Sequence, residues 1–215
     1  MYKDGLLDPF NIEHHVLDQL PEDVMILNSL DDIDSFLSSE KDLALGEFSQ
    51  TDDYQQIIRL RINEQVDIDR EFQSLDDLYE RAPGAESLVS MYAPLLLRLD
   101  QAMEWKTKRI TVKVIRDQMC PLFHVDNLKL RFIVTLQGPG TQWLMGRDVI
   151  RKNLGKGGRK PIAKKNCYLQ QIQTGQVALL KGLKFPGSKG LVHRSPSISP
   201  VSDTPRLFLR VDFID

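Results

Sequence analysis

CPLFHVDNLKLRFIVTLQGPGTQWL, residues 120–144, poses the question that decides the fold. LKLRFIVTLQ is the most strand-like run in the chain, and the GPG after it forces a turn. At its head stand His124 and Asp126. In an extended chain, residues i and i+2 project to the same side. The spacing therefore predicts an imidazole and a carboxylate in one space. Such a pair supplies two of the three ligands of a facial triad, which holds a divalent metal, typically Fe(II), with positions left open. The chain has 4 histidines in all. His14 and His15 are adjacent in an acidic region, and on a helix they would diverge. His193, in GLVHRSP, remains as the third ligand.

The run belongs to a series. RITVKVIR alternates apolar and polar residues, with Ile110, Val112 and Val114 on one side. TQWLM, CYLQQIQ, QVALLKG, GLVH and RLFLRVDF follow, separated by turn signals and by a Ser/Pro-rich stretch. Many short strands without intervening long helices predict an antiparallel barrel or double-sheet jelly roll. Before about Lys108 the pattern is different. EHHVLDQLPEDV and SLDDIDSFLS read as short helices, the second with Ser29 as a candidate cap. SLDDLYERAPGAESLVSMYAPLLLRLDQAMEW reads as two helices divided at Pro83-Gly84, with Leu88, Met91, Leu95 and Leu99 as an apolar stripe that Pro94 kinks or splits. The expected class is α+β: a mainly helical region over 1–108 packed on a C-terminal double-stranded β-helix, or jelly roll, over 109–215.

Charge divides along the same line. Residues 1–100 hold 23 acidic and 7 basic side chains, the remainder 7 acidic and 21 basic, within a net charge of −2. The basic excess is densest in 145–165, MGRDVIRKNLGKGGRKPIAKK, read as a solvated loop with a lid or anion-binding loop over the barrel mouth as the functional alternative. Its GKGGRK lacks the spacing of a phosphate-binding P-loop, and no aromatic residues are interleaved to stack bases, which argues against nucleic acid. The 2 cysteines, Cys120 and Cys167, form no CxxC pair; Cys120 reads as a small buried apolar residue, and no disulfide is expected. MYKDGLLDPFNIEHH has no basic start followed by an apolar run, and no apolar run is long enough to cross a bilayer, so a cytoplasmic protein away from membranes is expected.

The last strand adds a second signal. Arg206, Phe208 and Arg210 share one face of RLFLRVDF, and Leu207, Leu209 and Val211 the other. Arginines on a buried face call for an anion, and the guanidinium suits a carboxylate.

Together, HVD, the distal His193 and the arginines of RLFLRVDF resemble the Fe(II)/2-oxoglutarate-dependent dioxygenase superfamily. CPLFHVD, LRFIVTLQGPGTQWL, VALLKG and VHRSP before RLFLRVDF are more specifically similar to the family known as domain of unknown function 1826, strongly over 110–215 and loosely before. The resemblance implies a jelly-roll core in which His124, Asp126 and His193 hold iron. It also implies that Arg206 anchors the far carboxylate of 2-oxoglutarate, with Arg210 as second choice or as a substrate contact. The activity it implies is hydroxylation of a small-molecule or protein substrate. Zinc or another divalent ion suits the same ligands. A non-catalytic metal-binding protein, for handling or sensing metal, is the alternative function, and a metal-free interaction module a third.

Overall fold

In the computed structural model the described residues are 21, 23–47, 56, 58–59, 67–72, 77, 86–103, 105–117, 119–198 and 205–215. A seven-stranded sheet runs through them. Its strands are β1 (Val24–Leu27), β2 (Leu43–Glu47), β3 (Asp67–Phe72), β4 (Lys108–Ile115), β5 (Leu130–Gln137), β8 (Gln176–Lys181) and β10 (Arg206–Phe213). Their order is β1-β2-β8-β5-β10-β4-β3. Only β1 and β2 pair in parallel; the other neighbours are antiparallel. A smaller sheet faces it, β7 (Gln170–Gln171), β6 (Gln142–Trp143) and β9 (His193–Arg194) in that order. A single antiparallel bridge between His124 and His193 adds the HVD segment to its edge.

Strand parity sorts the side chains into layers. One face of the large sheet carries Val112, Phe132, Val134, Leu179, Leu207, Leu209 and Val211, packed against helices. These are α1 (Asp32–Ser38), α2 (Glu86–Met91) and α3 (Ala93–Ala102), which contribute Phe36, Leu88, Leu95 and Leu99. The opposite face carries Leu43, Leu45, Ile133, Ala178, Leu180 and Phe208, packed on Trp143 and Leu191 of the small-sheet side. Each such buried Leu or Phe contributes about 1.5–3 kcal/mol relative to exposure. The apolar stripe read over 88–99 is therefore core, and Pro94 splits it, since α2 ends at Met91 and Pro94 sits in the first turn of α3.

Several expectations need correction. The described part of the region before 108 is not helical alone: beside α1, α2 and α3 it supplies β1, β2 and β3, which hydrogen-bond into the large sheet. VMIL and LALGE lack the period-2 signal; in β2, both faces of LALGE are buried. The helix expected over 13–24 falls mostly outside the described residues, and its last residue, Val24, opens β1; that over 74–83 lies outside them but for Asp77. Ser29 does not cap α1. Asp32 Oδ2 instead accepts the backbone N–H groups of Asn28 and Ser29 at 2.7 and 2.9 Å. Cys120 is exposed rather than buried, and both cysteines are free.

Candidate metal centre

The triad forms where two strand ends meet. His124 and His193 exchange backbone hydrogen bonds at 2.9 and 3.0 Å, which sets their rings 4.6 Å apart. Each Nδ1 lies beside the carbonyl two residues earlier, Leu122 O at 3.0 Å and Leu191 O at 3.1 Å. A neutral imidazole that donates from Nδ1 presents a bare Nε2. Both Nε2 atoms face Asp126, at 3.7 Å from Oδ1 for His124 and 3.3 Å from Oδ2 for His193. One ligand atom from each residue falls within 4.8 Å of the others. Burial pushes His193 down to about 4 against the pull of Asp126, so its ring stays neutral at physiological pH. Burial opposes ionisation of Asp126, but His193, Arg131, His124 and Arg210 outweigh it and hold the carboxyl below its ordinary range. Two nitrogen lone pairs and an ionised oxygen thus converge, which is a donor set that fits a divalent first-row metal.

Close backbone contact holds this arrangement. Gly190 has φ +71, and a Cβ there would lie 2.2 Å from Val125 Cγ1. Only glycine lets the strand before His193 approach the HVD segment so closely.

Arginines line the floor. Arg131 on β5 and Arg206, Arg210 and Asp212 on β10 all turn toward the small sheet, because they share parity with Ile133 and Phe208. Arg131 Nη1 lies 2.6 Å from Asp126 Oδ2, and its Nε and Nη2 grip Asp212 at 2.6 and 3.1 Å. Arg210 Nε lies 3.2 Å from Asp212, and its Nη2 donates to Thr111 Oγ1 at 2.8 Å. Arg206 is different. It is 3 % exposed, and its Nη2 donates to Thr135 Oγ1 at 3.2 Å and Thr141 Oγ1 at 3.0 Å. Its Nε has no partner, and no carboxylate pairs with it among the described residues. Burial without a counter-charge lowers it to about 10.

The triad, the three arginines and Thr141 line one pocket of about 210 Å3, which also takes in Met119, Cys120, Ile133, Leu180 and Ser195. A larger groove of about 590 Å3 runs between residues 39–43 and residues 143–151 and contains none of the triad. The five residues singled out from the sequence, His124, Asp126, His193, Arg206 and Arg210, are thus gathered in one place. Sequence reasoning missed Arg131, Asp212, Thr135 and Thr141. Arg131 and Asp212 face each other across the β5–β10 pairing, and only the register could have revealed them. Lys181 and Gln142 do not reach this pocket: Lys181 bonds to the end of α1, and Gln142 to Arg194 and Gln171.

The fold is similar to that of several solved structures. A Pseudomonas putida prolyl-4-hydroxylase aligns at TM-score 0.52 and 8% identity, over 86% of this chain and 99% of that one. A full-length Neurospora crassa protein in complex with alpha-KG and 5-formyluracil aligns at 0.51 and 9%, over 89% and 83%. HygX from Streptomyces hygroscopicus with nickel and 2-oxoglutarate bound aligns at 0.50 and 8%, over 85% and 86%. At such identities the likeness is one of fold. No curated protein matches the chain. Residues 39–212 match the model of the family described as "Protein of unknown function (DUF1826)", and the chain belongs to that family.

Proposed function

We propose that this chain is a non-haem Fe(II)/2-oxoglutarate-dependent oxygenase. The observation that carries the reading is Arg206: a buried guanidinium with no carboxylate partner among the described residues, on the floor of the pocket that holds the triad. A buried cation without an anion is costly, and a ligand carboxylate removes that cost. Arg206 with the hydroxyls of Thr135 and Thr141 offers one carboxylate a charge and neutral donors. His124, Asp126 and His193 would hold the iron. Iron and 2-oxoglutarate, when bound, would supply dioxygen activation, coupled to oxidative decarboxylation to succinate, for hydroxylating a substrate C–H bond. The chain's residues bind and orient. Arg206 fixes the far carboxylate, the Nδ1 contacts fix the imidazoles, and Ile133, Leu180 and Phe208 line the pocket with apolar surface that limits water. Two of the similar structures carry 2-oxoglutarate, under that name or as alpha-KG, which supports the choice of co-substrate.

The test is anaerobic titration of the apo-protein with Fe(II) and then 2-oxoglutarate. We expect a visible charge-transfer band that decays when oxygen is added. Arg206→Ala should weaken 2-oxoglutarate binding by at least ten-fold while metal binding persists. Metal binding without any band would instead assign the protein to metal handling or sensing. No metal binding by the wild type would sink both.

A further inference from the structure

We infer that residues 145–165 are a docking surface for an acidic stretch of polypeptide, held beside the mouth of the triad pocket. That the docked chain is the oxygenase's substrate rests on the function proposed above; the docking itself does not.

The segment is not a lid over the barrel mouth. It packs on the outer face of the small sheet, where Val149 and Ile162 join Leu144 and Val192 in a separate apolar cluster, with Leu154 and Ala163 against it. Its two arms are tied by backbone bonds, Ile150 N to Ile162 O at 2.7 Å and Lys164 N to Asp148 O at 2.8 Å. Arg151 donates to Lys189 O at 2.6 Å and Gly190 O at 3.0 Å. The apolar residues of the segment are taken up by this anchorage. What remains outward is charge: Arg147, Lys152, Lys156, Arg159, Lys160, Lys164 and Lys165 are all exposed. No carboxylate pairs with any of them among the described residues. Fixed in place and unneutralised, they form a preorganised anion-binding surface.

The surface adjoins the site at both ends of the triad. Gly158 presses on Leu122, so closely that a Cβ there would lie 3.0 Å from Leu122 Cδ2. Leu122 O is the acceptor beside His124 Nδ1. Arg151 holds residues 189 and 190, just before Leu191, whose carbonyl lies beside His193 Nδ1. A chain bound along the cations is therefore delivered toward the pocket.

Two observations favour polypeptide over nucleic acid. The first is two exposed apolar side chains beside the cations, Leu122 at 50%, against Gly158, and Met119 at 41%, on the pocket lining. The apolar side chains of a docked peptide can cover these. The second is that no aromatic residue lies among the cations of 145–165 to stack bases.

The test is fluorescence anisotropy on the full, metal-free chain with a fluorescein-labelled peptide containing six consecutive glutamates, and separately with a labelled twenty-nucleotide oligothymidine. We expect the peptide to bind at low salt, to weaken steeply as salt rises, and to bind more tightly than the oligonucleotide. The triple variant Lys156→Glu/Arg159→Glu/Lys160→Glu should lose at least ten-fold in peptide affinity and keep the wild-type iron and 2-oxoglutarate titration. Absence of peptide binding, equal binding by the variant, or tighter binding of the oligonucleotide would overturn the inference. Because the binding needs neither iron nor co-substrate, it can fail while the oxygenase reading stands, and the reverse.

Discussion

Arg131 stands between two carboxylates, one a candidate metal ligand and the other buried on β10. Its charge has two jobs that pull in the same direction. It keeps Asp126 ionised and aimed, and it neutralises Asp212, which is 4 % exposed. Replacing one partner of a buried pair strands the other. Arg131→Met should therefore cost about 3–5 kcal/mol of stability, read from urea denaturation. The double variant Arg131→Met/Asp212→Leu should lose less than the sum of the two single losses, although Asp126 stays without its arginine and Arg210 without Asp212. Additive losses would show that the two do not act as a pair. Of the residues in this pocket, the sequence disclosed those with a pattern: an HxD, a last histidine, and arginines alternating with aliphatics. Arg131 sits in LRFIV, where one charged residue among apolar neighbours reads as an ordinary strand position. Thr135 and Thr141 were unreadable because their role depends on the arginine that reaches them from β10.

At the scale of elements, the joint between α1 and β8 rests on one side chain. Lys181 is 2 % exposed, and its Nζ donates to Phe36 O at 2.8 Å, Leu37 O at 3.3 Å and Ser39 O at 2.6 Å. These carbonyls lie at the C-terminal end of α1, where a cation is favoured by the helix dipole. The Nζ also lies over the rings of Phe36 and Phe185, at 4.7 and 4.4 Å from their centroids. Lys181→Met keeps much of the volume and removes every donor. We expect a loss of about 2–4 kcal/mol, since hydrogen bonds from a charged group are worth about 1.5–3 each and Leu37 O and Ser39 O lose this donor, while Phe36 O keeps Ser39. Thermal unfolding checks it, and an unchanged midpoint would mean that the carbonyls find water instead. The C-terminal strands were legible because turns punctuate them and their faces alternate. β10 was expected as RLFLRVDF and is found over those residues. β1 and β2 were not legible, because strands covered on both sides lose the alternation that advertises a strand. β3, DIDREF, does alternate, but its acidic residues resemble the solvated helical stretches around it.

For the molecule as a whole, the triad joins parts far apart in sequence, so a bound metal should stabilise the entire fold. A ligand at one hundred times its dissociation constant adds about 2.7 kcal/mol. Wild type and Arg206→Ala should both gain this on addition of Fe(II) or Zn(II), measured under anaerobic conditions in denaturant, and Asp126→Ala should gain nothing. Gain by Asp126→Ala would place the metal elsewhere. β10 lies at the centre of this arrangement. It pairs with β4 along one edge and β5 along the other, and it presents Arg206, Phe208 and Arg210 to the pocket while Leu207, Leu209, Val211 and Phe213 face the helices. A strand's two faces are fixed by counting alone. Loss of one residue within β10 would turn every side chain on one side of the break through the sheet, setting arginines against Leu95 and Leu99 and leucines beside the triad. Substitutions there alter one contact; a single-codon deletion exchanges the core for the site. Among descendants of this gene, length changes should therefore survive in the segments between strands and be purged from these eight residues, even where individual side chains drift.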